Sequence, residues 1–192
     1  MTKLIFASLA AALVALPTMA SAQALSAPVI AVVDVQRATS QCNACKTALT
    51  QLEGQVNALK ALQTSLETPL RTEATALQTA ASALNGKAPD AALQARATAF
   101  ERKQGDAQRQ LAAREQTFQR NRAYVLQQIS DKLNPALTSV MTKRGANVML
   151  DSASTVRVGP GVDVTADVIA ALNASLTTIG TTAPAQAAPT RR

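Results

Sequence analysis

The chain has 192 residues, 19 Lys and Arg against 12 Asp and Glu, and a formal charge of +7, so its surface favours anionic partners without naming them. Apolar residues make up 47%, but 41 residues are Ala and only 2% are aromatic, which argues against a thick single-chain core because Ala buries little area. The absence of His and Trp excludes His-based acid–base catalysis, triads containing His and nearly all catalytic zinc sites.

Residues 1–22 read as a cleavable export signal. Lys3 gives a positive start, Leu4 to Leu16 form a short apolar run, Pro17 breaks it, and Ala20-Ser21-Ala22 fits the small-residue cleavage rule. The mature chain is expected to begin near Gln23. With a bacterial organisation, the compartment is the periplasm, which is oxidising. Residues 23–37 hold the β-branched run Val29, Ile30, Val32, Val33 and Val35, which predicts a buried strand.

From Ala38 to Leu84 the period changes. Leu49, Leu52, Val56, Leu59, Gln63, Leu66, Leu70, Glu73, Leu77, Ala80 and Leu84 follow alternating spacings of three and four, a coiled-coil seam broken only at Gln63 and Glu73. Asn85 to Asp90 predict a stop and restart, with Gly86 in the left-handed cap and Pro89 in the next first turn. A second helix then runs to Arg144 on the poorer seam Leu93, Ala97, Phe100, Gln104, Ala107, Leu111, Arg114 and Phe118. Beyond Phe118 the register drifts to Val125, Ile129, Leu133, Leu137 and Val140. A short turn between long helices predicts an antiparallel hairpin spanning 38–144, with arms on the order of 70–80 Å. Pro69 and Pro135 predict local bends.

After Gly145 two strands are expected, at Asn147–Asp151 and at Thr155–Val158. A helix follows over Ala166–Leu176 with Thr165 as its N-cap. Residues 180–192, rich in Thr, Ala and Pro, are expected to be disordered. The strands and last helix of 23–37 and 145–179 form a split head of only some 45–50 residues without an aromatic. That is close to the ~40-residue limit below which domains need disulfides, metals or partners. An obligate homo-oligomer is therefore expected. The fold class is α+β: a long antiparallel coiled-coil hairpin inserted in a small β-rich oligomerisation body.

Few motifs carry chemistry. Cys42-x-x-Cys45 reads as an incidental structural pair, a local or intersubunit disulfide, or a redox dithiol. No further Cys or His completes a metal site, so none is expected. Gly86-Lys87 is followed by Ala88, so no phosphate loop forms. No cofactor and no enzymatic activity are expected. Asn85 to Arg144 hold 11 Lys and Arg against 5 Asp and Glu, nearly all the excess positive charge. Its carriers include Arg96, Arg102, Lys103, Arg109, Arg114, Arg120 and Arg122. They read either as an ordinary solvated face or as a surface for anionic lipid, lipopolysaccharide or acidic polypeptide. Export disfavours nucleic acid.

The signal, then IAVVDVQRA (30–38), the charged hairpin, LNPALTSVMTKRGANVMLD (133–151) and VDVTADVIAALN (162–173) together resemble the Skp/OmpH family of periplasmic chaperones. The resemblance implies a homotrimer whose β-rich body joins strands of three chains. It implies three helical tentacles enclosing a cavity that holds unfolded outer-membrane proteins without ATP. On that reading Val29, Ile30, Val32, Val33, Val35, Val148, Leu150, Val156 and Val158 build the trimer body. Arg96, Arg102, Lys103, Arg109, Arg114, Arg120 and Arg122 line or rim the cavity as client contacts. Cys42, Cys45 and the Ala/Pro-rich tail depart from the family pattern. A structural coiled-coil envelope protein and a thiol-redox protein are the alternatives.

Overall fold

A computed structural model describes residues 26–185; the expected signal segment and residues 186–192 lie outside it. The order is β1 (Ile30–Val33), α1 (Val35–Gln41), α2 (Asn43–Ala83), α3 (Ala91–Arg144), β2 (Val148–Asp151), a 3-10 turn (Ser152–Ser154) and α4 (Thr165–Ser175). The 41 residues of α2 and 54 of α3 give lengths of about 60 and 80 Å. Gln55 meets Asn121 near the base and Glu73 meets Arg96 nearer the tip, so the two helices run antiparallel.

The hairpin's ends follow local chemistry. Asn85 and Gly86 carry the tip on positive φ values of 48° and 86°, a conformation glycine adopts without steric cost. Pro89 precedes the new helix rather than entering it. Asp90 is the N-cap of α3, its side chain accepting from Leu93 N, which satisfies one of the first-turn donors. At the far end Gly145 closes α3 in the left-handed conformation, after Lys143 and Arg144 in its last turn. Both helices continue through Pro69 and Pro135, where bends were expected.

Three readings are corrected around the body. Val35 belongs to a helix, because Asp34 caps α1 by accepting from Arg37 N at 2.7 Å. The long helix starts only at Asn43, because Cys42 is extended at φ −62° and ψ 146° and separates α1 from α2. Thr155–Val158 is not a strand, and Val156 is fully exposed. The other edge of β1 is taken instead by Val162–Val164. Val32 N donates to Val162 O at 2.7 Å, and Val164 N donates to Val32 O at 2.8 Å. β1 thus lies between this segment and β2, which pairs with it in parallel, Ile30 opposite Val148 and Val33 opposite Asp151.

The core sits where these pieces meet the hairpin's base. Val33, Val125, Val140, Val168 and Leu172 are fully buried there, with Ala38, Ala48 and Ile129 around them. Each large side chain contributes about 1.5–3 kcal/mol. Farther out, two helices alone cannot enclose a core. Seam residues Leu59, Leu66, Leu70 and Leu77 on α2, and Leu93, Phe100 and Leu111 on α3, are only half-buried. Gln63 and Gln104 are exposed breaks in the seam, and Leu49, a seam position by spacing, is exposed as well.

Candidate functional site: the arm surface and its base

The basic residues do not form one band. A helix turns 100° per residue at 3.6 residues per turn, so Arg96, Lys103 and Arg114 fall on the side of α3 that faces α2. Glu73 on α2 pairs with Arg96 at 3.0 Å. Lys103 and Arg114 line clefts between the two helices. Arg102, Arg109 and Arg120 follow a second stripe, turned away from α2, and Arg122 stands apart. All seven are exposed. Arg109 pairs with Asp106. Among the described residues, Arg102, Lys103, Arg114, Arg120 and Arg122 have no carboxylate partner.

The clefts open where the seam is loosely filled. One, of about 510 Å³, lies near the base between Ala58, Leu59 and Leu62 of α2 and Arg114, Phe118 and Asn121 of α3, with Thr182 at its edge. Another, of about 330 Å³, lies nearer the tip among Leu66, Pro69, Leu70, Lys103, Ala107 and Gln110, with the carboxylates Glu73 and Asp106 also on its wall. Each combines apolar walls with an Arg or Lys whose methylene stem extends the apolar surface.

Residues 177–185 pack back along the hairpin, contrary to the disorder expected from Gly180 onward. Gln128 holds both main-chain groups of Gly180: its Nε2 donates to Gly180 O at 2.8 Å and its Oε1 accepts from Gly180 N at 3.0 Å. Gln55 Nε2 donates to Thr181 O at 3.0 Å, and Asn121 Oδ1 accepts from Ala183 N at 2.9 Å. Asn121 Nδ2 donates in turn to Gln55 Oε1 at 2.9 Å, so one amide orients the next. Thr181 Oγ1 donates to Gln51 Oε1 at 2.7 Å. The sequence reading missed these residues. The available signal was Asn121, a polar residue between Phe118 and Val125 on an otherwise apolar face, here 6% exposed.

At the helix break, Cys42 and Cys45 form a disulfide, and neither residue is exposed. Cys42 Sγ also accepts from Cys45 N at 3.1 Å, capping α2. Of the readings left open for this pair, the local disulfide is the one present.

The body residues divide. Val32 and Val33 belong to the chain's own core at 5% and 2% exposure, so they are already spent within the protomer. Val35, Val148 and Val158 are half-buried, while Val29, Ile30, Leu150 and Val156 are exposed. Thr165 does not cap α4 by itself; it is the first helical residue. Asp163 Oδ1 accepts from Thr165 N at 2.8 Å and from Thr165 Oγ1 at 2.5 Å, and Thr165 Oγ1 accepts from Asp34 N at 2.9 Å. These bonds to Thr165, with Arg37 Nη2 at 3.1 Å from Asp163, hold the Asp163 carboxyl below its ordinary value near 3.8. Among the described residues, no group of His, Cys, Asp and Glu could hold a metal ion, and no helix is long and apolar enough to cross a membrane.

Fold and surface together define a class: a small strand-and-helix foot carrying a long, cleft-bearing, basic helical hairpin. The family profile of the outer membrane protein (OmpH-like) matches residues 29–172, and the chain belongs to this OmpH-like family. The crystal structure of a candidate OmpH-like outer membrane chaperone from Caulobacter crescentus CB15 shares the fold with a TM-score of 0.66. That alignment has 24% identity and covers 82% of this chain and 90% of the other. Comparison with curated protein sequences finds no match.

Proposed function

We propose that the protein is an ATP-independent periplasmic holdase. On this reading it shields unfolded outer-membrane proteins between the helical arms of a homotrimer and prevents their aggregation. The observation that supports this best is the half-open seam. Apolar walls at Leu59, Leu62, Leu66, Leu70 and Phe118 remain reachable beside Lys103 and Arg114, which make no ion pair among the described residues. Such a surface offers many weak contacts instead of one deep pocket, so it tolerates varied sequences and releases them without nucleotide. The family membership and the shared fold with the Caulobacter protein point the same way.

The second stripe, Arg102, Arg109 and Arg120, adds long-range attraction for acidic clients, screened over about 10 Å at ordinary ionic strength. Lipopolysaccharide or anionic lipid would use the same charges. Val29, Ile30, Leu150, Val156 and Val162 are exposed apolar residues of the body, and the first four are among those assigned to subunit contacts. Burying them between protomers also covers the β-sheet edges that an isolated foot leaves open.

The test is aggregation of an acidic, unfolded β-barrel protein diluted from denaturant, with the chaperone sized by light scattering. Suppression at about three protomers per client, weakening as salt rises, is the expected result. Undiminished aggregation at that ratio, or a monodisperse monomer at micromolar concentration, refutes the reading. Envelope attachment without client capture would favour a purely structural coiled-coil spacer.

A further inference from the structure

The bonds between the tail and the arm have an uncommon chemistry. Four of the five use main-chain atoms of the tail: Gly180 N, Gly180 O, Thr181 O and Ala183 N. Only the Thr181 hydroxyl contact to Gln51 reads a side chain. The readers, Gln55, Asn121 and Gln128, are side-chain amides that each donate and accept, so they match the alternating groups of an extended backbone. Main-chain recognition of this kind gives affinity without specifying sequence, as it does when a peptide adds to a sheet edge. One mild steric filter exists: a Cβ on Gly180 would come within 3.2 Å of Tyr124 Cε1, so the tyrosine ring must give by a few tenths of an ångström to admit one.

The path also has a direction. Contacts move up the arm from Gln128 to Asn121 and from Gln51 to Gln55, and Thr182 reaches the edge of the 510 Å³ cleft walled by Leu59, Leu62 and Phe118. An extended segment following the tail's course is delivered into that cleft. The tail itself is loosely seated: Thr182, Pro184 and Ala185 are exposed, and Thr181 and Ala183 are only half-buried.

We propose that Gln55, Asn121 and Gln128 form a binding subsite for extended, unfolded polypeptide, and that residues 180–185 occupy it as a built-in competitor. This rests on the holdase reading and adds to it the place on the arm where client backbone docks. A client must displace the tail, so its apparent affinity is reduced by the fraction of time the subsite is free. A tail seated about nine-tenths of the time weakens client binding about tenfold.

Fluorescence anisotropy with two labelled peptides of equal length tests this. One peptide has the tail sequence from Thr177 onward; the other is an unrelated Thr/Ala/Val peptide with Gly at the position matching Gly180. Each is titrated with the full chain, with a chain ending at Ile179, and with that shortened chain carrying Gln128→Ala. Full-length Gly180→Val crowds the Tyr124 ring and so loosens the tail's seat while leaving Gln55, Asn121 and Gln128 unchanged in sequence.

The expected result is about tenfold tighter binding of both peptides by the shortened chain. Most of that gain should be lost with Gln128→Ala, and Gly180→Val should behave like the shortened chain. Binding of the tail peptide alone would show a private strap and overturn the proposal. So would equal affinities for full and shortened chains, or a Gly180→Val chain indistinguishable from its parent. The same proteins enter the aggregation assay. Suppression without peptide binding removes only this subsite, whereas peptide binding without suppression removes the holdase reading.

Discussion

Reducing the Cys42–Cys45 disulfide should destabilise the protein by only about 2 kcal/mol, because the loop it closes is short. The cysteines are three positions apart, and in the chain-entropy treatment closing a loop of about four residues is worth roughly 2 kcal/mol at 25 °C. Native packing gives little reason for a larger loss. Cys42 and Cys45 are completely buried and remain small apolar groups when reduced, and the Cys42 sulfur can still accept from Cys45 N. Replacing them with Ser is a poorer experiment, since a buried hydroxyl without a partner adds about 1–3 kcal/mol of its own. The assay is urea unfolding followed by far-ultraviolet circular dichroism, oxidised against reduced, at equal protomer concentration because assembly shifts apparent stability. Reduction is performed in denaturant, as the sulfurs are shielded in the fold, and the chain is refolded with reductant present. Helical signal should be retained. A loss above about 4 kcal/mol, or collapse of the helices, would refute the loop-closure argument and show that the bond holds the arm to its foot.

Two further outcomes follow from the body. Leu172 is fully buried where α4 meets the hairpin base, so Leu172→Ala should cost about 2–5 kcal/mol in the same urea assay, and a loss below about 1 kcal/mol would mean that the site collapses freely. Asp163 has a lowered carboxyl value, so its ionised form favours the folded state: its contribution is complete above the ordinary carboxylate range and is lost as pH falls through the lowered value. Asp163→Asn should therefore be less stable than the parent at neutral pH and equal to it in strong acid, and a difference that persists in strong acid would refute the assignment.

The sequence by itself determined the long elements, because helical periodicity is a local property repeated many times. Leu59, Leu66, Leu70 and Leu77 on α2, and Val125, Ile129 and Val140 on α3, were placed on the inward faces by spacing alone, and they lie there. Asn85 and Gly86 similarly announced the tip. Tertiary structure decided matters where one partner must be chosen among several. Val156 and Val158 have the composition of a strand, but the free edge of β1 pairs with Val162–Val164 and leaves them outside the sheet. Val35 was drawn into α1 by the Asp34 cap, a short-range signal outweighed in the reading by the β-branched run before it. Net charge was countable, but its division into a cleft-facing set at Arg96, Lys103 and Arg114 and an outer stripe at Arg102, Arg109 and Arg120 required the helix phase and the position of α2. Least legible was the course of Gly180 to Ala183. Small residues carry no hydrophobic periodicity, so nothing in their own sequence fixes a docking place. It is fixed by Gln55, Asn121 and Gln128, distant in the chain and brought together only by the hairpin.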